Sequence, residues 1–325
     1  HFANCSDAWG ITFNLWSSGK TKDIHNFNHT IIDNINGEIV EVGNNNIYNV
    51  WDNLLCSNWV KNEIKSIKTI DMPCVKNALS IKEETRAKIA ETAFGYFHNN
   101  ANSIQYNPTY VGMYSTGFAA GNGVSILPQN FTKCTALFSA RKLVSCNWMN
   151  SKDEYLAPNE SHPDYNEFGN DSVIYSRFHS ASNQSSMRNV EYKGKKWDLK
   201  NEFFFMSKEE IMKLAEDNFN DDVYNDARTA NERFVYDYIQ NHSFSPEATA
   251  VLNKAKELVA KTFPMRSIIN EEHPEYHLNT WDCGWYQIKL ILKEYYKEDL
   301  DEFRKLFKQL SDKMLPKVYE LGFLK

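Results

Sequence analysis

Apolar and polar positions along this chain follow two periods, and the change from one to the other marks its organisation. Trp9 to Trp16 (WGITFNLW) is a run of β-branched and aromatic residues closed by Ser17-Ser18-Gly19, the pattern of a buried strand. From Ile31 to Val50 two short strand-like runs flank Asn36-Gly37, which predicts a hairpin. Trp51 to Ile67 recovers helical spacing, with Leu54, Leu55, Trp59, Val60 and Ile64 on one face. Ile81 to Phe97 is read as a second helix whose aromatic end, Phe94, Tyr96 and Phe97, enters the core. Asn99 to Gly123 is a polar, glycine-rich loop, Val124 to Leu127 a short strand, and Pro128 introduces a helix from about Asn130 to Val144. Ser151 to Gly169 is irregular, and Asp171 to Phe178 fits either a strand or a short buried helix.

From Ser207, which precedes Glu209 and Glu210 as a helix cap should, the helical period takes over. Tyr224 to Gln240, Pro246 to Phe263, Trp281 to Tyr296 and Leu300 to Leu321 all read as amphipathic helices. The expected fold is therefore α+β: a mixed, small-sheet N-terminal half with helices, followed by a mainly helical C-terminal block. Residues 1–220 form the mixed α/β region and residues 221–325 the helical subdomain, with a soft boundary near Asp217 to Asp226.

Composition changes this picture in few places. With 325 residues, 42% of them hydrophobic and 14% aromatic, the chain can bury one large core or two smaller ones. A formal net charge of -6 excludes a uniformly basic DNA-coating protein, so any contact with nucleic acid must be a local patch on an acidic body. The six cysteines show no CxxC spacing, which argues against a structural zinc site and suits the reduced thiols of a cytoplasmic protein. No apolar run reaches membrane-spanning length, so no membrane partner is expected. The chain starts at His1 and meets an apolar run almost at once, as a piece cut from a longer polypeptide would.

The chemistry concentrates in Phe178 to Phe205 (FHSASNQSSMRNVEYKGKKWDLKNEFFF). A polar run is followed by Lys193, Lys195, Lys196 and Lys200 against only Glu191 and Asp198, and then by the apolar anchor Phe203 to Phe205. Amides, hydroxyls and an arginine suit base edges and phosphate oxygens. The same stretch also reads as a solvated hairpin turning at Lys193-Gly194-Lys195. Asn107-Pro108-Thr109-Tyr110 is one residue from the Asn-Pro-Pro-Tyr signature of amino-methyltransferases, but no glycine-rich cofactor loop precedes it, and a turn is the better reading. Pro163-Asp164 with Glu191-Tyr192-Lys193 has the order of a magnesium-dependent PD-(D/E)xK nuclease, with Asp164 in a proline-broken loop. Two basic groups, Lys61, Lys65 and Lys68, and Arg304, Lys305 and Lys308, read first as solvated helix faces.

Several blocks in combination resemble a known family. They are WGITFNLW (9–16), NFTKCTALFSAR (130–141), WMNSKDEYLAP (148–158), EFGNDSVIYSRFHSASNQSS (167–186) and the ending from Trp281 to Lys325. Together they resemble the region downstream of the catalytic core in large bacterial N6-adenine DNA methyltransferases of restriction–modification systems. In these type IIG-like enzymes one chain carries both methylation and target recognition. The resemblance implies that residues 1–20 hold the last strand of a truncated methyltransferase sheet and that the rest recognises double-stranded DNA. It also implies that the N-terminal methyltransferase domain of the same parent chain binds S-adenosylmethionine, so that this fragment has no catalytic residue, metal or cofactor of its own. On chemical grounds Asn183, Gln184, Ser186, Arg188 and Asn189 are then expected at base edges. Lys193, Lys195, Lys196 and Lys200 are expected on phosphates, with Arg141 and Lys142 as a second phosphate group. Rival expectations are the nuclease above and a protein-interaction module formed by the helices from Tyr224 to Leu321.

Overall fold

Asn36 and Gly37 both take positive φ, 55° and 90°, as the Asn-Gly pair of a tight hairpin should. They join β1 (Asn26–Ile35) to β2 (Glu38–Tyr48) in an antiparallel ribbon with one bulge beside Ile31. The computed structural model describes residues 26–77, 80–99, 111–116, 123–145, 154–215, 233–278 and 280–325. The strand expected at Trp9–Trp16 and the Asn107–Tyr110 turn lie outside the described residues, as does the expected 217–226 boundary.

The helix read over 51–67 is shorter than its pattern suggests. Only α1 (Cys56–Lys61) is α-helical, flanked by single 3-10 turns at Asp52–Leu54 and Asn62–Ile64. Cys56, Trp59 and Val60 are its buried residues, so of the expected face Trp59 and Val60 are buried, Leu55 and Ile64 half-buried and Leu54 exposed. The helix read over 81–97 does not form. Its residues build β4 (Ser80–Ala90), paired antiparallel with β3 (Thr69–Asn77), and β5 (Gly95–Asn99). Cross-strand partners such as Ile70 and Ile89, and the Ala90 amide donating to Ser125 Oγ at 2.8 Å, override a charge spacing that would also suit a helix. Only glycine fits at the start of β5, because a β-carbon on Gly95 would stand 2.3 Å from the Phe203 ring.

β5 is central in a four-stranded sheet of order β7-β5-β6-β8, with β6 at Val111–Tyr114, β7 at Gly123–Ile126 and β8 at Ser182–Asn183. All neighbours are antiparallel except β6 and β8. After β7, buried Asn130 accepts from the Leu127 amide and donates to the Ser125 and Val60 carbonyls, which fixes the entry into α2 (Phe131–Leu143). The stretch that fitted strand or helix is the buried part of α3 (Tyr165–Phe178). A ribbon of β9 (Met187–Tyr192) and β10 (Lys195–Leu199) follows.

The C-terminal region is helical, and the chain is α+β. α4 (Lys208–Ala215) begins with a reciprocal capping box between Ser207 and Glu210. α5 (Phe234–Asn241) covers the end of the helix expected over Tyr224–Gln240, whose residues 224–232 lie outside the described ones. α6 (Pro246–Thr262) and α9 (Lys297–Glu320) match expected helices, α8 (Trp285–Tyr295) starts four residues later than expected, and α7 (Arg266–Glu272) is an addition. Phe203, Phe204 and Phe205 are fully buried, as the anchor reading required. One hydrophobic core runs from Cys56 to Leu324, so the core does not break where the helical block begins. The tail closes it: the Leu156 amide donates to the Phe323 carbonyl at 2.9 Å, and the Phe323 ring meets Trp59 edge-on at 5.8 Å. Cys56, Cys134 and Cys283 are buried and form no disulfide. Among the described residues no helix is long and apolar enough to cross a membrane.

Candidate nucleic-acid interface

The β9–β10 ribbon turns at Lys193 and Gly194, whose φ values of 51° and 70° repeat the left-handed pair seen at Asn36-Gly37. Tyr192 faces Lys195 and Glu191 faces Lys196 across the ribbon. Alternation therefore puts Val190, Tyr192, Lys195 and Trp197 on one face and Glu191, Lys196 and Asp198 on the other. The first face is held down. Val190 and Leu199 are buried in a small satellite cluster with Trp197 and with Met72 of β3. Lys193, Lys195, Lys196 and Lys200 remain exposed. The Lys193 ammonium lies 3.7 Å from Asp71 and 5.2 Å from the Tyr192 ring centre. Arg188 and Asn189 belong to β9 by backbone, and their side chains lie outside the described residues.

The polar run before the ribbon does something else. Gln184 is 4% exposed and Ser186 2% exposed, so neither faces a groove, and the expectation that they touch base edges is corrected. Gln184 accepts from Arg177 and donates to Ser182 Oγ. Arg177 also donates to the Phe203 carbonyl at 3.0 Å and lies 4.5 Å over the Phe203 ring centre, and its burial pushes its pKa down. Ser115 Oγ donates to the Ser185 carbonyl at 2.9 Å. Ser186 Oγ is 2.6 Å from Thr280 Oγ1 and donates to the Asp282 carbonyl. Asn183, half-buried, closes the sheet edge in β8 beside Tyr114. Gln184 and Ser186 are internal because the chain after β8 passes under the start of α8, and there they find protein partners in place of water.

The centre of that network is ionic. Arg233 binds Asp282 Oδ2 through Nε at 2.9 Å and Nη2 at 2.7 Å, both residues are buried, and the guanidinium lies 4.3 Å over Trp281. Asp282 also receives the Asn201 amide. Nothing in the separate spacing of Arg233, Asn201 and Asp282 along the chain signals this, because the partners are 49 and 81 residues apart.

The second phosphate group divides. Arg141 is buried, donates to Asn99 Oδ1 and lies 5.6 Å over the Tyr155 ring, so its expected phosphate contact is corrected. Lys142, the next residue on α2, is half-buried. The nuclease residues are engaged separately: Asp164 is paired with Lys317 of α9, whose hydrogen bond holds its carboxyl below the usual range, while Glu191 and Lys193 sit on the ribbon. Among the described residues no three His, Cys, Asp or Glu side chains converge where a metal ion would be held. In comparisons with protein-family models, curated proteins and solved structures, nothing matches this chain.

Proposed function

We propose that this chain recognises duplex DNA as the C-terminal part of a S-adenosylmethionine-dependent adenine-N6 DNA methyltransferase, with the β9–β10 ribbon as its groove-facing element. The observation that carries this is the apex of the ribbon. Lys193 occupies a left-handed position that costs about 1 kcal/mol for a residue with a β-carbon and that Asn would fill more easily. A cation held there, with Lys196 on the ribbon's open face and Lys195 exposed beside the turn, suits a ribbon tip that meets phosphates. The sequence blocks that resemble the recognition region of type IIG-like enzymes give the duplex its context. Base reading then falls to Arg188 and Asn189 of β9, since Gln184 and Ser186 are committed inside.

In this proposal the parent chain's methyltransferase domain binds the methyl donor in the cytoplasm, and no step of methyl transfer belongs to residues of this chain. The test is the salt dependence of binding to a fluorescent duplex of random sequence. Replacing Lys193, Lys195 and Lys196 with Ala should weaken binding at every salt concentration. It should also reduce the logarithmic salt slope by up to about 2.7, at about 0.9 per phosphate contact. An unchanged slope with the fold intact removes the ribbon from the interface.

A further inference from the structure

Lys142 is joined by cations far from it in sequence. It stands one turn beyond Phe138 on α2, Lys289 stands one turn beyond Trp285 on α8, and Arg304 lies between Phe303 and Phe307 on α9. Those aromatic rings pack together around the end of α3. Phe138 meets the His179 ring edge-on at 5.5 Å, Phe307 lies 6.4 Å from the same ring, and Trp285 is 4.9 Å from Phe178 and 4.8 Å from Phe303. Packing on one aromatic floor therefore brings together the turns of α2, α8 and α9 that carry these cations, and the Lys289 ammonium itself lies 5.9 Å from the Tyr286 ring centre. Lys293, a further turn along α8, extends the group outward. We propose that Lys142, Lys289, Lys293 and Arg304, carried by α2, α8 and α9 around the end of α3, form a second phosphate-binding surface that takes the backbone of duplex DNA. This rests on the DNA-binding function proposed above.

The electrostatics agree with an anion site. Burial, with Lys293 and Arg304 as the charges acting on it, pushes the Lys289 ammonium down to about 8. Burial, with Lys142 and Lys289, pushes His179 down to about 3. His179 is thus neutral near pH 7, and its Nδ1 accepts the Ala181 amide at 3.0 Å. Asp301 pairs with Arg304 at 2.7 Å. The C-terminal ends of α2, α3 and α8, at about half a negative charge each, offset part of the charge of the four cations, as Asp301 does, and leave the group net positive. A half-buried ammonium among like charges gains more from an incoming anion than a solvated one does. Cations drawn from separate helices suit a repeating polyanion, which on a chain of net charge -6 must be held by such local clusters.

Two measurements test this. The double variant Lys289→Gln/Lys293→Gln should lower the salt slope of duplex binding by about 1.8, in the wild-type background and again in the ribbon triple variant. The second uses the unaltered chain: each lysine's acetylation rate is read by mass spectrometry alone, with inorganic phosphate, and with duplex. Protection of Lys142, Lys289 and Lys293 by duplex, together with the ribbon lysines, supports the second surface. Protection of the ribbon alone, or a slope that stays the same in the folded double variant, overturns it and leaves the ribbon interface standing. Protection of the cluster by inorganic phosphate but of no lysine by duplex overturns the duplex assignment and the DNA-binding proposal together.

Discussion

Gly284 and Gln184 approach so closely that a β-carbon built on Gly284 would stand 1.8 Å from the Gln184 carbonyl oxygen. The two residues join the start of α8 to the polar run ahead of the ribbon, and the Gly284 amide is spent on Gln287 Oε1 at 2.8 Å. Backbone meets backbone here, so no side-chain rotation relieves an added methyl. Gly284→Ala should therefore cost roughly 1–3 kcal/mol in denaturant unfolding. Gly169→Ala is the control: inside α3, with open space at its β-carbon, it should stabilise by about 0.5–1 kcal/mol.

The Arg233–Asp282 pair makes a sharper demand. Asp282→Ala leaves a buried guanidinium over Trp281 without its counter-charge and strips partners from the Asn201 amide. A loss of about 3–5 kcal/mol is expected, measured by chemical unfolding, and Asp282→Asn should recover little of it. A loss under 1 kcal/mol would mean that the network is not held as described.

Two hairpins were legible because their turns name themselves. Asn36-Gly37 and Lys193-Gly194 sit between strand-like runs, and a two-residue turn with positive φ has few other sequences. The C-terminal helices were legible because each buries one stripe against the same core. What failed was the step from polar composition to exposure. Ser182 to Ser186 look like a surface run, yet their partners, Ser115, Thr280 and Asp282, lie some 70 to 96 residues away, beyond any local pattern. Ile81 to Phe97 failed for a related reason, since pairing with β3 and the close approach of Phe203 decide its conformation. The basic group of Lys142, Lys289, Lys293 and Arg304 was hidden in the same way, spread over three helices.

Lys193 sets stability against binding. Lys193→Asn keeps the turn but fills its left-handed position with a residue that tolerates it, so the chain should gain about 0.5–1 kcal/mol. The same change removes a phosphate contact and should lower the salt slope of duplex binding by about 0.9. Greater stability with unaltered binding would show that the apex cation has no part in recognition.

Arg188 separates reading from gripping. If it reaches a base edge from β9, Arg188→Ala should reduce discrimination between a selected site and its single-base variants by about 1–3 kcal/mol at that position. Affinity for unrelated duplexes should change much less. Selection from a randomised duplex pool, followed by anisotropy on the enriched site, gives both numbers. An equal loss on every duplex makes Arg188 a backbone contact instead.

His179 gives the fold a dependence on acid. Its folded pKa, near 3, lies below the ordinary value of 6.5, so between the two the unfolded chain binds a proton that the folded chain refuses. Stability is complete above about pH 6.5 and falls as the pH drops toward 3. Allowing for the partial exposure of the ring, the contribution lost by pH 4 is about 1–2 kcal/mol. His179→Phe, packed in the same place between Phe138 and Tyr175, should remove that part of the slope, while the Ala181 amide left without its acceptor lowers stability by about 1–3 kcal/mol at every pH. Urea midpoints for both proteins across pH 4 to 8 would show it, and parallel curves would mean that the ring titrates as freely in the folded chain as in the unfolded one.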